Sequence, residues 1–329
     1  MSGGQPMRSV GALAAGLLML LSSSSVRPAM AAPEQATIGL YLSAVHNLDF
    51  ANGKFSADFW LWSTVTSDHL RPVETAFIVN EAAKEIEPVA TVKSADKRWE
   101  QRRIRADLWA DWQPSHFPFD TQVLTIILEE SFSTTDALVY VADRKNSGID
   151  HDLKLPGWRI KTWDIRATEH AYTSNFGDPT DPNGIKTARL EATLTIQRDG
   201  LGLFIDMTIG AFIAFGAMAL SFRLAPNVPP IFGARMVITV ASLFTVMISM
   251  RAYSASYAFQ FGETLPNRIH LATLAAGLFA ALGAVIARHY VEKGDEAAAF
   301  RSDRLGRRLF VSAYFTVVGG MALIAVLPG

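Results

Sequence analysis

The 329-residue chain contains no cysteine. That absence excludes a disulfide framework, a thiolate nucleophile and a cysteine metal site, even for a part exported to an oxidising compartment. Net charge is nearly absent too: 30 Lys and Arg against 31 Asp and Glu leave a formal charge of -1. No global field therefore draws the chain to nucleic acid. Enzyme signatures are also missing, with no HExxH, P-loop or GxSxG, and the seven histidines are scattered without metal-ligand spacing. The expectation is a protein that is not an enzyme and carries no cofactor. Asp143, Asn146, Asp150 and Asp152 in DRKNSGIDHD have donors suited to calcium, but the stretch reads more simply as a polar turn.

What the chain has is apolar sequence. Half of its residues are hydrophobic, mean hydropathy is positive at +0.19, and the last third carries long runs almost free of charge. The N-terminus orders Arg8, the run VGALAAGLLMLL and the small-residue AMA at Ala29 to Ala31, as a secretory signal does. Residues 1–31 are expected to be that signal, with the mature chain starting near Ala32 or Pro33, because the run is short for a span of roughly 20 residues.

From 32 to 198 the pattern is all-β, in short alternating segments separated by turn residues. Ala51-Asn52-Gly53 between two strand-like runs is a hairpin signal. In ARLEATLTIQR, Leu190, Ala192, Leu194 and Ile196 share one face, and Arg198 brings a charge to the end of it. Segments 121–128, 137–142 and 158–168 read as further strands. An exported sandwich of about 8–10 strands is expected. From 199 to 329 four apolar segments follow, at 201–222, about 236–260, 269–287 and 309–327, each long enough to cross a bilayer as a helix. Arginines crowd the connection between the third and fourth, and Arg223 and Arg235 mark the first connection. By the positive-inside rule these connections are cytoplasmic, which leaves the β-domain on the exported side.

This architecture, with HFPFDTQ at 116–122 inside the sandwich, resembles the pentameric ligand-gated ion channels, the Cys-loop receptor superfamily, in its prokaryotic branch. The points of resemblance are HFPFDTQ followed by VLTIILEESF, GLYLSAVHNLD as first strand and turn, QRD before the first helix, GARM opening the second and LPNRI before the third. The resemblance implies a homopentamer in the lipid bilayer of a bacterial inner membrane, its sandwich in the periplasm. It would be opened by an unidentified small-molecule agonist or by protons, and would pass inorganic ions along an axis lined by the second helix. The alternative is a receptor that keeps the scaffold without conducting.

Residue by residue, the resemblance places the loop of Phe117, Pro118, Phe119 and Asp120 at the bottom of the sandwich, against the helices. Asp120 would face Arg198, Asp49 would add a second carboxylate, and Pro266 would belong to the same coupling interface. The simpler reading is a proline turn whose aspartate satisfies nearby N–H groups. Gly233-Ala234-Arg235 looks like the opening of an anion-conducting pore helix, and the pore stripe becomes Val237, Ala241, Phe244, Ile248 and Arg251. A later register would bring Thr245, Ser249 and Ser256 to the axis. Arg251 either faces that axis or pairs with Asp206 on the first helix. The family's ligand site lies between subunits and uses aromatics; matching positions are Trp60, Trp62, Phe132, Tyr172 and Phe176, with Glu129 or Glu130 as a carboxylate. His46 and His116 are candidates for proton gating. The sequence departs from the family in having Leu70-Arg71-Pro72 for Trp-x-Pro, in lacking a proline within the first helix and in placing Leu265-Pro266 about eight residues late.

Overall fold

Alternating apolar residues build the first half of the molecule. In a computed structural model, which describes residues 32–94, 96–114, 116–177, 184–257 and 264–326, strands β1 (Glu34–Asp49) and β2 (Lys54–Val65) form the expected hairpin. Gly53 supplies the left-handed turn residue, with φ +68°. Residues 1–31, where a signal is expected, lie outside the described residues, as do 178–183 in the later hairpin loop and the side chain of Ser256.

A one-turn helix α1 (Pro72–Thr75) leads to the short strands β3 (Ala76–Ile78), β4 (Glu81–Ile86) and β5 (Ala90–Ser94) and to the long β6 (Lys97–Trp109). Then come β7 (Thr121–Thr134), β8 (Leu138–Ala142), β9 (Gly148–Ile149), β10 (Trp158–Ala171) and β11 (Lys186–Arg198). They form two sheets. One has the order β4-β6-β2-β1-β8, with β5 also on β6 and β9 also on β1; the other has the order β10-β11-β7-β3. Ile38, Leu40, Phe59 and Leu61 from the first sheet meet Leu124, Ile126, Leu190, Leu194 and Ile196 from the second in one core. The expected sandwich is there, with eleven strands because several are only two to six residues long.

The expected helices are all present, the last three longer than expected. α2 (Gly200–Ser221) follows β11 after the single residue Asp199, so the strand's end fixes the helix's start. α3 (Pro229–Tyr257) begins well before 236, since Pro229 and Pro230 sit in its first turn, where a proline costs no intrahelical hydrogen bond. The triplet Gly233-Ala234-Arg235 is therefore inside the helix rather than at its opening. α4 (Leu265–Glu292) and α5 (Glu296–Val326) absorb most of the charged connection between them. They are parted only at 293–295, where Gly294 turns left-handed at φ +81° and Asp295 accepts the Ala298 N–H at 2.8 Å.

All four helices are long and apolar enough to cross a bilayer, which makes this a multi-pass membrane protein. α2, α4 and α5 share a core that contains Ala211, Phe215, Met218, Ile269, Ala280 and Tyr314. Arg235, expected in a solvated connection, is instead fully buried. Its guanidinium lies 2.7 Å from Asp303 of α5 and 4.7 Å over the Phe222 ring. The contact is an ion pair out of hydrogen-bond alignment, since no guanidinium nitrogen of Arg235 has an aligned acceptor.

Candidate functional site

The sandwich meets the helices at Arg198. As the last residue on the core face of β11, it points inward with only 8% exposure, opposite Asp120, which directly precedes β7 and is 1% exposed. Arg198 Nε donates to Asp120 Oδ1 at 2.7 Å and a terminal nitrogen donates to Oδ2 at 3.2 Å, a two-bond fork. The Gln122 amide adds a third bond to Oδ2 at 2.6 Å. Above and below the fork lie the rings of Trp158, Phe50 and Phe117, with centroids 4.0, 4.7 and 4.8 Å from the guanidinium carbon. A carboxylate and three aromatic faces thus replace the water that this cation gives up.

The expected second carboxylate is not part of this pair. Asp49 turns back into its own hairpin, accepting from the Asn52 N–H at 2.9 Å and its side-chain amide at 2.8 Å, so a local turn has captured it. Phe50, Trp158 and Gln122 take the places around Arg198 that the sequence did not identify. They come from three separate segments, and only the register of the folded sheets brings them together.

The same loop reaches the helices. Phe117 packs with Leu203 and Met207 of α2, and Phe119 lies 5.7 Å from the Phe204 ring. Pro118, joined to Phe117 by a cis peptide bond, crosses the start of α2 so closely that a Cβ on Gly200 would stand 1.9 Å from its carbonyl oxygen. Pro266 is buried at the start of α4, where its carbonyl oxygen lies 2.7 Å from His270 Nδ1. The neighbouring Leu265 shares a core with Phe119.

On α3 one side is buried and the opposite side exposed. Arg235, Thr239, Ser242 and Val246 are buried against the other helices, whereas Val237, Ala241, Phe244, Ile248 and Arg251 form an exposed stripe on the opposite side. Ser249, from the later register, lies 2.9 Å from His270 Nε2 on α4, and Thr245 is exposed. Arg251 does not pair with Asp206 within the chain: both are exposed, and among the described residues neither has an ion-pair partner.

The expected ligand residues fall into two groups. Trp60 and Trp62 lie on the outer face of the seven-stranded sheet, in a cleft of about 460 Å³ shared with Tyr41, Trp99 and Asp143. Gly39 makes room for the Trp62 indole, since a Cβ there would come within 2.3 Å of the ring, and Asp143 accepts the indole N–H at 3.1 Å. Asp143 also accepts from Asn146 of its own turn at 3.0 Å, and no three carboxylates or imidazoles converge on a metal position among the described residues.

The second group lies on the outer face of the four-stranded sheet. Glu129 accepts from Arg189 at 2.7 Å and Thr187 at 2.7 Å, and also from Tyr172, whose ring stands 5.1 Å from Phe176. Burial alone would raise the Glu129 pKa, but the bonds from Thr187, Tyr172 and Arg189 outweigh it and hold the value below the ordinary range. Phe132 is 85% exposed and Phe176 68%. Glu130 differs from expectation because strand parity turns it into the sandwich, where it accepts from Thr75 at 2.7 Å and Tyr140 at 3.1 Å. It is closed to a surface ligand. His46 is exposed on β1 and His116 half-buried beside the loop. The two aromatic groups lie on opposite outer faces of the sandwich and do not converge within one chain.

No known protein-family model matches the chain, and a comparison with curated proteins found no match.

Proposed function

We propose that the chain is one subunit of a ring-shaped ion channel gated by a ligand or by pH, and that ions pass along an axis lined by α3. The observation that carries this reading is the Asp120–Arg198 fork, with its three aromatic faces, at the one point where the sandwich runs directly into a membrane helix. A desolvated ion pair at the seam of two rigid bodies favours discrete arrangements over continuous bending, which is what transmission from a binding domain to a pore requires. The apolar outer stripe of α3 supports the same reading, because copies around an axis would cover its flanks and leave Phe244 and Ile248 as a dewetting constriction. The aromatic groups on opposite faces suit a ligand site completed by a neighbouring copy. Arg235, paired with Asp303, contributes no field to that axis, so anion selectivity would depend on Arg251 alone.

A second reading, a receptor that does not conduct, is favoured by the lack of any polar side chain on the stripe from Val237 to Ile248. Ion flux separates the two. Purified protein in liposomes loaded with chloride or potassium, at neutral and acidic pH, is expected to pass ions, and Phe244→Ala is expected to raise the leak by widening the constriction. Silence from both proteins under every condition would favour the receptor.

A further inference from the structure

Asp206 and Arg251 are opposite charges inside membrane-length helices, and each is exposed on a face that is otherwise apolar. On α2 the inward side is Met207, Ala211, Ala214, Phe215 and Met218, while Asp206 lies among the exposed Ile205, Ile209, Ile213 and Leu220. On α3 Arg251 continues the exposed line of Phe244 and Ile248. Charges at such positions are costly and need a partner or water.

Their heights match. Gly210 of α2 faces Ser249 of α3, since a Cβ on Gly210 would stand 3.0 Å from Ser249 Oγ. The two helices run in opposite directions, so four residues back from Gly210 sets Asp206 level with position 253. Arg251 is two residues from that level, roughly 3 Å at 1.5 Å per residue. The charges therefore share a depth on adjacent helices, but Arg251, two residues from Ser249, lies on the far side of α3, and the two do not pair within the chain.

We infer that the missing partner is a second copy of the chain: Asp206 of each subunit pairs with Arg251 of the next. A contact between different faces of identical subunits that repeats head to tail closes into a ring, whereas a two-fold contact would make the same Asp206–Arg251 pair twice and stop at a dimer; the ring proposed above selects the first. The long arginine stem lets the guanidinium leave its stripe and reach sideways to a neighbour's carboxylate. Pairing also neutralises Arg251 as a selectivity charge. The inference rests on the ring assembly proposed above and not on conduction.

The absence of cysteine makes this directly testable. The full-length double variant Asp206→Cys with Arg251→Cys, oxidised in lipid vesicles, is expected to give a reducible ladder of bands beyond the dimer, and each single variant is expected to give none. A bismaleimide spans the length of the arginine stem that a direct disulfide does not, and a monomer band only with both treatments, or dimers from a single variant, would overturn the pairing. Charge reversal provides a second readout that does not need close thiols: Asp206→Arg or Arg251→Asp alone is expected to lose the oligomer on size exclusion, and the two together to recover it. No recovery from a double variant that keeps its native tryptophan fluorescence would overturn the pairing too. A ladder without ion flux would leave the pairing standing and remove the channel; flux without a ladder would do the reverse.

Discussion

An arginine on the core face of a strand gives up its hydration, and Arg198 replaces it with one carboxylate and three rings. Removing the carboxylate leaves the cation buried and uncompensated, a change that typically costs about 3–5 kcal/mol. Asp120→Ala is therefore expected to lower the unfolding midpoint of the detergent-purified protein strongly. Asp120→Asn, which keeps an acceptor, is expected to lower it less, and an equal loss from both would show that the charge of Asp120 contributes nothing. Asp49→Asn is expected to leave the Arg198 contact intact, because its side chain serves its own turn. The Asp120–Arg198 pair was legible in the sequence because both residues sit at fixed points of recognisable motifs. The failure at Asp49 has a local cause: an aspartate three residues before an asparagine finds a backbone N–H before it finds a distant cation.

At the scale of elements, the strands that were legible are those whose inward residues are apolar. β11 shows this, and β6 shows the opposite. Its inward positions begin with Arg98, Glu100 and Arg102, all buried, before Ile104, Ala106 and Leu108 restore the usual pattern. Arg98 Nε lies 3.0 Å from Glu100, a pairing that alternation of apolar residues does not reveal. Helix starts were missed for a similar reason: the charged stretch before α5 reads as a loop by hydropathy, although alanine, glutamate and arginine are strong helix formers.

The pairing of β7 with β11 carries its own pH dependence. The Glu129 pKa is held below its ordinary 4.5, so folding favours the ionised carboxylate. The stabilisation is therefore complete above that value and is lost as pH falls through the lowered one. The protection factors of amides in β7 and β11, exchange rates corrected for the intrinsic effect of pH, are expected to fall on acidification below the ordinary glutamate range, and Glu129→Gln to flatten this response. Identical acid profiles for the two proteins would rule out Glu129 as the source.

For the whole molecule, two of the buried ion pairs stand at opposite ends of the helices. Arg198 and Asp120 close the end at the sandwich, and Arg235 and Asp303 tie α3 to α5 beside Phe222 at the far end of α2. The 22 residues of α2 between them span roughly 33 Å at 1.5 Å per residue. Sites so far apart usually add in stability to within about 0.3–0.5 kcal/mol. Asp120→Ala and Asp303→Ala are therefore expected to lower the unfolding midpoint additively when combined. Gating is expected to behave differently, because a helix that moves as one body couples what happens at its two ends, typically by about 1–3 kcal/mol. The midpoint of the flux response in the double variant should then depart from the sum of the single shifts. Additivity in both measurements would mean that α2 holds the two ends together without carrying a signal between them, and that gating in a conducting protein follows another route.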